Sequence, residues 1–327
     1  MEEHKLATNK QHKLGSGFGY RSTAEEVLSG IDLSGKLALV TGGYSGLGLE
    51  TTRALVRAGA RVIVPARRPA LAEEALAGLS GVEVEELDLS DLASVQALAS
   101  RILARGLSID IAILNAAIMA CPETRVGPGW ESQFATNYIG HYVLIQLLWP
   151  AFISGGGARV VAVSSIGHHR SPILWDDIQL TEGYEKFKAY GQSKTAVSLF
   201  TVELDRRGEK HGVRSFSVHP GGIMTPLQRY LPKEEMIARG WFDETGEVVN
   251  PAFKTPEQGA STQVWAATSP QLTGIGGVYC EDCDIAEMAV DGNSLSGVKP
   301  YAIDPEQAAR LWRLTAELTG VDRIPSA

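Results

Sequence analysis

Tyr190 and Lys194 are the residues of this chain whose types and spacing most directly suggest chemistry. They lie at positions i and i+4 of a stretch rich in helix formers, so both side chains should share one helix face. A phenol with a pKa of about 10 carries protons poorly at neutral pH, and a nearby ammonium is expected to lower that pKa. The pair is a candidate proton donor to a carbonyl oxygen that becomes an alcohol. Such pairs also occur by chance on helix surfaces, so other residues must support this interpretation.

Two adjacent serines, Ser164 and Ser165, close an apolar stretch that precedes this helix in the chain. A serine hydroxyl at the end of a buried strand could hold the oxygen atom of a substrate. Serine is also an ordinary turn residue at such a position. The serines therefore add a candidate to the site without establishing it.

A glycine-rich loop suggests a second kind of chemistry, the binding of a phosphate group. The apolar run Leu37–Val40 predicts a buried strand, the pattern Thr41-Gly42-x-x-x-Gly46-x-Gly48 follows, and helix formers continue beyond it. Glycines allow a sharp turn and the close approach of a ligand, and the free N–H groups at a helix start attract a pyrophosphate. This order predicts a dinucleotide-binding βαβ unit.

The residues after the next strand bear on which dinucleotide is bound. A dinucleotide site for NAD usually places an acidic residue there, against the ribose 2′-hydroxyl. This chain has Ala66 at that position, followed by Arg67 and Arg68. The missing carboxylate and the guanidinium of Arg67 favour the 2′-phosphate of NADP(H). The alternative is that the two arginines are a solvated pair at the start of a helix.

Two further strand ends carry small or polar residues. Asp88 and Leu89 follow the third predicted strand, and the Asp88 carboxylate could accept a hydrogen bond from an adenine amino group or cap the next helix. The fourth predicted strand ends in Asn115, Ala116 and Ala117, whose small side chains would let a cofactor approach closely. That sequence is also compatible with a simple strand-to-loop transition.

The elements that must position these residues alternate regularly. Strands are predicted at Leu37–Thr41, Val62–Pro65, Val82–Leu87, Ile109–Leu114, Arg159–Ser164, Arg214–His219 and Val278–Cys280. Helices are predicted at Leu49–Ala58, Ala70–Ala77, Ser90–Leu103, Trp130–Phe152, Tyr184–His211 and Pro256–Ala267. The fold class is therefore α/β: a single Rossmann-type doubly wound parallel sheet of about seven strands, flanked by helices on both faces. Ligands of such sheets bind at the carboxyl ends of the strands, where every candidate above falls.

The predicted domain organisation has three parts. Residues 1–35 form an N-terminal extension, residues 36–284 form the catalytic domain, and residues 285–327 form a tail with a helix over Leu311–Leu318. The segment 224–255 is predicted to be an apolar lid over the substrate or, equally, ordinary packing of two short helices. The side chains that suggest a lid are Leu227, Tyr230, Leu231, Met236, Trp241 and Phe242.

Together these motifs resemble the short-chain dehydrogenase/reductase family over roughly residues 34–280. The resemblance implies hydride transfer between a nicotinamide and a carbonyl or alcohol carbon. It implies a catalytic set of Asn137, Ser165, Tyr190 and Lys194. It places cofactor contacts at Thr41, Gly42, Tyr44, Ser45, Gly46, Leu47, Gly48, Asp88, Asn115, Ala116, Ala117, Tyr190, Lys194, Pro220, Gly221, Ile223 and Thr225. The family's Asn-Asn-Ala-Gly motif differs here, since Leu114 and Ile118 replace its first Asn and its Gly.

Within the family, the chain resembles the branch of retinol dehydrogenases, WW-domain-containing oxidoreductase and protochlorophyllide reductase. That branch implies NADP(H) and bulky, apolar carbonyl or alcohol substrates. The resemblance to the family as a whole also implies association into a homodimer or homotetramer. Two alternatives stay open: an NADP(H)-dependent C=C reductase, and a non-catalytic NADP(H)-sensing scaffold on the same fold.

Composition and charge exclude several classes of protein and partner. The 327 residues carry a formal net charge of −8, which disfavours nonspecific binding to nucleic acid. Three cysteines are too few for a disulfide framework and indicate a reducing compartment. No apolar run is long enough to span a membrane, and no metal is required. A soluble cytoplasmic enzyme acting on a small molecule is the expectation.

Several other motifs are given structural interpretations. Residues 1–13 are expected to be frayed, and Gly15-Ser-Gly17-Phe-Gly19 is expected to be a flexible linker, because no strand precedes it. The spacing of Ser22 and Glu25 predicts a capping box and a short helix. His168-His169 is not expected to bind a metal, and Cys280-x-x-Cys283 is expected to have a structural or pocket-edge role rather than to form a redox pair.

Overall fold

The computed structural model describes residues 10–290 and 296–326. Its strands are β1 Leu37–Val40, β2 Arg61–Ala66, β3 Val82–Glu86, β4 Ile111–Leu114, β5 Arg125–Val126, β6 Trp130–Glu131, β7 Arg159–Val163, β8 Arg214–His219, β9 Val278–Glu281 and β10 Asp284–Ile285. Its α-helices are α1 Ala24–Val27, α2 Gly46–Arg57, α3 Pro69–Ala75, α4 Leu92–Ala104, α5 Ser132–Phe134, α6 Gly140–Ile153, α7 Lys186–Gly208, α8 Lys233–Ala238, α9 Pro256–Thr268 and α10 Pro305–Thr319. Short 3₁₀ helices cover Ile166–Arg170, Glu209–His211, Pro226–Tyr230, Pro270–Leu272 and Pro300–Ala302.

The main sheet confirms the predicted fold class. Its order is β3-β2-β1-β4-β7-β8-β9-β10, and the neighbours from β3 to β9 are parallel. All seven predicted strands belong to it. The sheet has an eighth strand that the sequence did not indicate, because β10 is only two residues long and pairs antiparallel with β9. A separate hairpin, β5 with β6, lies outside the main sheet.

Alternate residues of the central strands face the two helical layers. In β1, Leu37 and Leu39 join the core that includes α4, α6, α7 and α10, whereas Ala38 and Val40 join the core that includes α1, α2, α3 and α9. Side chains of successive strand residues point to opposite faces, so a strand buried on both sides must be apolar throughout. This explains why the strands appear in the sequence as unbroken apolar runs.

The register of the sheet brings the loop residues together at one edge. Val40 of β1 lies opposite Ile113 of β4, and Val163 of β7 lies opposite Val218 of β8. The residues that follow these strands therefore meet at the carboxyl edge. The glycine loop, the Asn115 segment, the serine pair and the Pro220 segment all begin there.

The N-terminal extension is packed against the domain where the structure describes it. Gln11 is buried, its amide donates to the Tyr279 and Ala286 carbonyl oxygens at 2.7 and 2.5 Å, and its own oxygen accepts from the Tyr279 N–H. The expected fraying is therefore wrong for residues 10–13, while residues 1–9 lie outside the described part of the chain. The predicted short helix exists as α1, but its capping box is formed by Thr23 and Glu26, one position later than predicted.

The C-terminal helix α10 packs on α7, the helix that carries Tyr190 and Lys194. The Trp312 indole stacks on the Phe200 ring with centroids 5.9 Å apart, and the Arg207 guanidinium lies 4.5 Å from the same indole. Arg207 in turn bonds Glu203 at 2.7 Å. The predicted tail helix is therefore present, longer than predicted, and part of the main core. No helix among residues 10–290 and 296–326 has the length and apolar character needed to cross a membrane.

Candidate active site

The glycine loop between β1 and α2 is shaped by contacts that exclude side chains. A Cβ at Gly48 would lie 2.3 Å from the Gly42 carbonyl oxygen and 2.6 Å from Nδ2 of Asn115. Ser45 precedes α2 in extended conformation and makes no side-chain cap bond, so the first N–H groups of the helix are not satisfied by that residue. The loop thus presents backbone donors at a helix start, as a pyrophosphate site requires.

Thr41 joins the glycine loop to the neighbouring strand end. Its Oγ1 accepts hydrogen bonds from the backbone N–H groups of Asn115 and Ala116, each at 3.0 Å, and lies 2.9 Å from Nε2 of His141. Because the hydroxyl already accepts two bonds, its own proton goes to His141. The ends of β1 and β4 are therefore held at fixed separation by one buried hydroxyl.

The opposite side of the loop carries the residues predicted to select the dinucleotide. Arg67 and Arg68 are exposed at the end of β2, and neither forms an ion pair with a described residue. Asp88 Oδ1 accepts from the N–H and the hydroxyl of Ser90, at 2.9 and 2.6 Å. The helix that follows is capped by Asp91 instead. Asp88 therefore orders its own turn, and its Oδ2 has no bond within the described residues.

A single cleft of about 780 Å³ runs along the carboxyl edge of the sheet from Arg67 to Tyr190. Two predicted site residues, Gly48 and Asn137, lie behind its wall instead of on it. The remaining predicted residues all line it: Gly42, Tyr44, Ser45, Gly46, Leu47, Arg67, Arg68, Asp88, Leu89, Asn115, Ala116, Ala117, Ser165, Tyr190, Lys194, Pro220, Gly221, Ile223 and Thr225.

Ser165 and Tyr190 meet at the deeper end of this cleft. Both residues line the cleft, and the Ser165 hydroxyl accepts the Gly167 N–H at 3.0 Å. A Cβ at Gly167 would lie only 2.8 Å from Cε1 of Tyr190. The glycine after the serine pair is thus needed for the phenol ring to lie beside the serine.

Lys194 is buried below Tyr190 on the same face of α7. Its Nζ donates to the Val163 carbonyl oxygen at 2.7 Å and lies 5.6 Å from the centroid of the Tyr190 ring. Burial lowers the pKa of Lys194 to about 7 and raises the pKa of Tyr190 to about 12. The lowered phenol pKa expected from the sequence is therefore wrong for this arrangement, because burial disfavours the phenolate and Ser165 offsets only part of that effect.

Asn137 lies in a π-helical turn, Ala135–Ile139, that joins α5 to α6. Its side chain accepts from the Ile118 N–H at 2.9 Å, and donates to the Ile118 carbonyl at 2.9 Å and to the Ser193 hydroxyl at 3.0 Å. The amide thus ties the loop after β4 to the helix of Tyr190. Single π turns within helices are frequent at functional sites, and this one places a polar side chain in the protein interior.

His141 extends this network and carried no signal in the sequence beyond its position one turn after Asn137. Its Nδ1 lies 3.0 Å from the Asn137 carbonyl oxygen, and its Nε2 receives the Thr41 proton. Nδ1 is therefore the protonated nitrogen. Burial lowers the pKa of His141 to about 4, so the ring is neutral above that pH. The glycine loop and the π turn are linked through one tautomer of this histidine.

The pair His168-His169 holds backbone groups. His168 Nδ1 lies 2.7 Å from the Ser165 carbonyl oxygen, and its Nε2 accepts from the Lys299 N–H at 3.1 Å. His169 Nε2 lies 3.0 Å from the Gly297 carbonyl oxygen. Among the residues that the structure describes, no group of three or more metal-binding side chains is close enough to hold an ion. These histidines connect the serine pair to the C-terminal tail, a contact that sequence reasoning missed.

The segment after β8 closes the cleft from the other side. Gly221 has φ +100, and a Cβ there would lie 2.8 Å from Cδ and Cε of Lys254. Lys254 is buried and bonds Asp282 at 2.7 Å. A Cβ at Gly46 would lie 3.2 Å from Thr225, so this segment also touches the glycine loop.

The segment 224–255 contributes apolar side chains at the deep end. Leu227, Leu231, Met236 and Trp241 cluster with Met119, Phe187 and Tyr190. Leu227, Tyr230 and Trp241 line the cleft, whereas Phe242 does not.

The two cysteines of the C-x-x-C motif are buried and free, and burial raises the pKa of both the Cys280 and the Cys283 thiol.

Comparisons with known proteins agree with this geometry. The sequence model of the short chain dehydrogenase family matches residues 36–236. A probable oxidoreductase of Streptomyces lividans is 46% identical over 296 residues, which cover 88% of this chain and 98% of that protein. Retinol dehydrogenase 14 of Mus musculus is 36% identical over 88% of this chain and 87% of its own. A crystal structure of a putative uncharacterized protein from Mycobacterium Paratuberculosis aligns with TM-score 0.71 and 31% identity, covering 93% of this chain and 99% of that chain.

Proposed function

The chain belongs to the short-chain dehydrogenase/reductase family of oxidoreductases, and we propose that it is an NADP(H)-dependent carbonyl reductase or alcohol dehydrogenase. The observation that carries this proposal is the single cleft that joins the glycine loop to Ser165, Tyr190 and Lys194. A dinucleotide lying along it from the glycine loop would bring its nicotinamide end to the phenol.

The residues present fit such a dinucleotide. The glycine loop would hold the pyrophosphate, since Gly42 and Gly48 leave no room for side chains beneath it. Arg67 would hold the 2′-phosphate, which supports NADP(H) over NAD(H). Asp88 Oδ2 would accept from the adenine, and Pro220, Gly221, Ile223 and Thr225 would surround the nicotinamide amide. When bound, the nicotinamide supplies a hydride to the substrate carbon or accepts one from it.

Ser165 and Tyr190 would have different roles at the substrate oxygen. The serine hydroxyl would hold the carbonyl oxygen beside the phenol. With a pKa of about 12, Tyr190 carries its proton at neutral pH and would donate it to that oxygen as the alcohol forms. In the opposite direction the phenol would take the proton from the alcohol.

Lys194 would restore the proton to Tyr190. Its pKa of about 7 allows the amine to exist in both protonation states at neutral pH, as a proton carrier requires. A charged Lys194 would also stabilise the phenolate that Tyr190 becomes after donation. Asn137 would support the path from Lys194 to solvent by holding the π turn against Ser193 and Ile118.

The apolar cluster of the segment 224–255 supports a bulky, apolar substrate body. Leu227 and Trp241 face the cleft beside Phe187, so this segment would act as the lid. The proposal also includes three predictions made from the sequence. The chain divides into an extension, a catalytic domain and a tail. The protein is cytoplasmic and associates into a homodimer or homotetramer.

The deciding experiment measures NADPH oxidation with a panel of ketones, aldehydes and enones, and NADP⁺ reduction with the matching alcohols. Turnover of ketones or alcohols supports the proposal, whereas turnover of the enone C=C bond alone would assign a C=C reductase. Binding of NADPH without turnover across the panel would assign a sensing protein.

Tyr190→Phe provides the first mutational test. Without the phenol proton, turnover should fall by roughly a hundredfold or more, which is the usual contribution of general acid catalysis. NADPH binding, measured by fluorescence titration, should stay within about twofold. Retained turnover would refute the role given to Tyr190.

A further inference from the structure

Three cationic side chains surround one aromatic ring that lines the cleft, in the same apolar cluster as Tyr190. Around the Phe187 ring centroid, the Arg239 guanidinium lies at 4.1 Å, that of Arg170 at 5.3 Å and the Lys186 ammonium at 5.5 Å. Phe187 is buried, and Phe187, Arg170 and Arg239 all line the cleft. We call Arg170, Lys186 and Arg239 the cationic collar.

The carboxylate of Glu235 balances only part of this charge. It bonds Lys186 at 2.5 Å and Arg239 at 3.0 Å, so two cations share it. Glu185, the neighbouring acid in sequence, is directed to the start of α7, where it accepts the N–H groups of Phe187 and Lys188. Among the described residues, none forms an ion pair with Arg170.

The collar is also close to the reacting groups. Phe187 lies three residues before Tyr190 on α7, so the two side chains share one helix face. Arg170 ends the 3₁₀ helix that begins after Ser165, and its Cβ lies 3.0 Å from where a Cβ of Gly191 would be. Phe187, Arg170 and Arg239 therefore line the same cleft as Ser165 and Tyr190, which would hold the substrate carbonyl.

We infer that the collar binds an anionic group of the substrate, so that the substrate class is a ketone or aldehyde with an apolar body and a carboxylate. This inference rests on the proposed carbonyl chemistry and adds a specificity to it. A guanidinium binds a carboxylate through two parallel hydrogen bonds. Arg170 can do this without giving up an internal ion pair. The collar carries three positive charges against the single carboxylate of Glu235, in a chain whose net charge is −8.

The test compares 4-oxo-4-phenylbutanoate with its methyl ester, which has the same apolar body without the charge. The native enzyme should show a kcat/KM for the acid roughly ten- to hundredfold above that for the ester, the usual gain from one charged hydrogen-bonded pair. Arg170→Gln should remove most of this preference by raising KM for the acid, with the ester unchanged. Arg170→Lys should restore part of it.

Arg310→Gln is the matched control, because Arg310 also lies over an aromatic ring, Trp175 at 4.0 Å, but outside the cleft. It should leave the acid-to-ester ratio unchanged. A second measurement uses calorimetric titration of 4-phenylbutanoate, which cannot be reduced, and 4-phenylbutanol into the NADPH-loaded enzyme. The carboxylate should bind more tightly, and only Arg170→Gln should abolish the difference.

The outcomes separate this inference from the proposed function. Equal turnover of acid and ester in the native enzyme, or an unchanged ratio in Arg170→Gln, would overturn the anion site while leaving the carbonyl chemistry in place. Absence of turnover with every ketone would instead refute the proposed function. A phosphate ester of an aryl ketone distinguishes a carboxylate preference from a phosphate preference. A higher kcat/KM for the phosphate than for the carboxylate would contradict the carboxylate assignment.

Discussion

Two glycine-rich segments of this protein, residues 14–19 and residues 42–48, look alike in sequence and have different surroundings in the fold. In the first, the backbone N–H groups of Leu14, Gly15 and Ser16 donate to the Asp284 carboxylate at 2.8, 3.0 and 3.2 Å. In the second, Gly46 and Leu47 at the start of α2 line the cleft, and Ser45 makes no side-chain cap bond to their helix. Successive backbone N–H groups of this kind form an anion-binding concavity. The first concavity is filled by the protein's own carboxylate.

The surroundings of each loop explain the difference. Residues 42–48 follow a buried strand and precede a helix, at the carboxyl edge where the sheet leaves a cleft. Residues 14–19 follow no strand, and Gly15 and Gly17 have positive φ with no atom close to where a Cβ would be. The expected flexible linker is therefore wrong, because three backbone hydrogen bonds hold this segment to Asp284. A glycine-rich sequence allows unusual backbone conformations. The elements on either side of the loop determine which anion its N–H groups bind.

Replacing one glycine in each loop with alanine should give the largest difference in NADPH affinity between the two loops. Gly48→Ala forces a Cβ to within 2.3 Å of a carbonyl oxygen, so the loop must shift. We expect NADPH affinity to fall by about a hundredfold or more, and the free energy of unfolding to fall by roughly 3 kcal/mol. Fluorescence titration and denaturant unfolding measure the two effects.

Gly17→Ala is the control for that comparison, with φ +87 but open space around the added methyl group. Only the backbone conformation is penalised, so unfolding should become easier by about 1–2 kcal/mol and NADPH affinity should not change. An equal loss of affinity in both variants would mean that the loops are not distinct in function.

Arg67→Ala tests the ligand assigned to the second loop. Removal of the guanidinium should weaken NADPH binding by roughly ten- to hundredfold and leave NADH binding unchanged, because only NADPH carries the 2′-phosphate. The ratio of the two dissociation constants is the measurement. An unchanged ratio would show that the arginines at the end of β2 are merely solvated.

Asp284→Asn tests the ligand of the first loop. The NH₂ group that replaces one carboxylate oxygen cannot accept a hydrogen bond, so the loop loses either the bond from Leu14 to Oδ1 or those from Gly15 and Ser16 to Oδ2. The free energy of unfolding should fall by about 1–3 kcal/mol, with NADPH affinity within about twofold of the native value. Loss of cofactor binding in this variant would link the two loops energetically.

Acid should loosen the surroundings of the second loop through His141. The folded protein keeps this ring neutral down to a pKa of about 4, whereas an unfolded chain protonates it near 6.5. Stability should therefore decline as pH falls from about 6.5 towards 4, by up to about 1.4 kcal/mol per pH unit from this residue. His141→Gln should flatten the curve of unfolding free energy against pH by that amount, and an unchanged slope would assign the acid sensitivity to other groups.

The sequence predicted the features that depend on local pattern. Apolar runs identified the seven long strands, and the positions of Ser165, Tyr190 and Lys194 at strand ends or on one helix face identified the cleft-lining groups. The glycine at 48 was predicted through its loop, although it lies beneath the cleft and not on its surface.

The features that depend on distant partners could not be predicted. The pairing of Leu14 to Ser16 with Asp284 joins positions about 270 residues apart. The π turn at Asn137 leaves no periodicity that differs from that of an α-helix. The pKa shifts of Tyr190 and Lys194 depend on burial, which the spacing of the two residues does not report.

The N-terminal extension binds residues that are synthesised near the end of the chain. Gln11 is bonded to backbone groups of Tyr279 and Ala286, which lie 268 and 275 positions later in the chain. A ribosome makes those residues many seconds after Gln11 has emerged, at the usual rate of about 5–20 residues per second. Gln11 therefore has no partner for these bonds until the chain has been synthesised through β9, after strands β1 to β8.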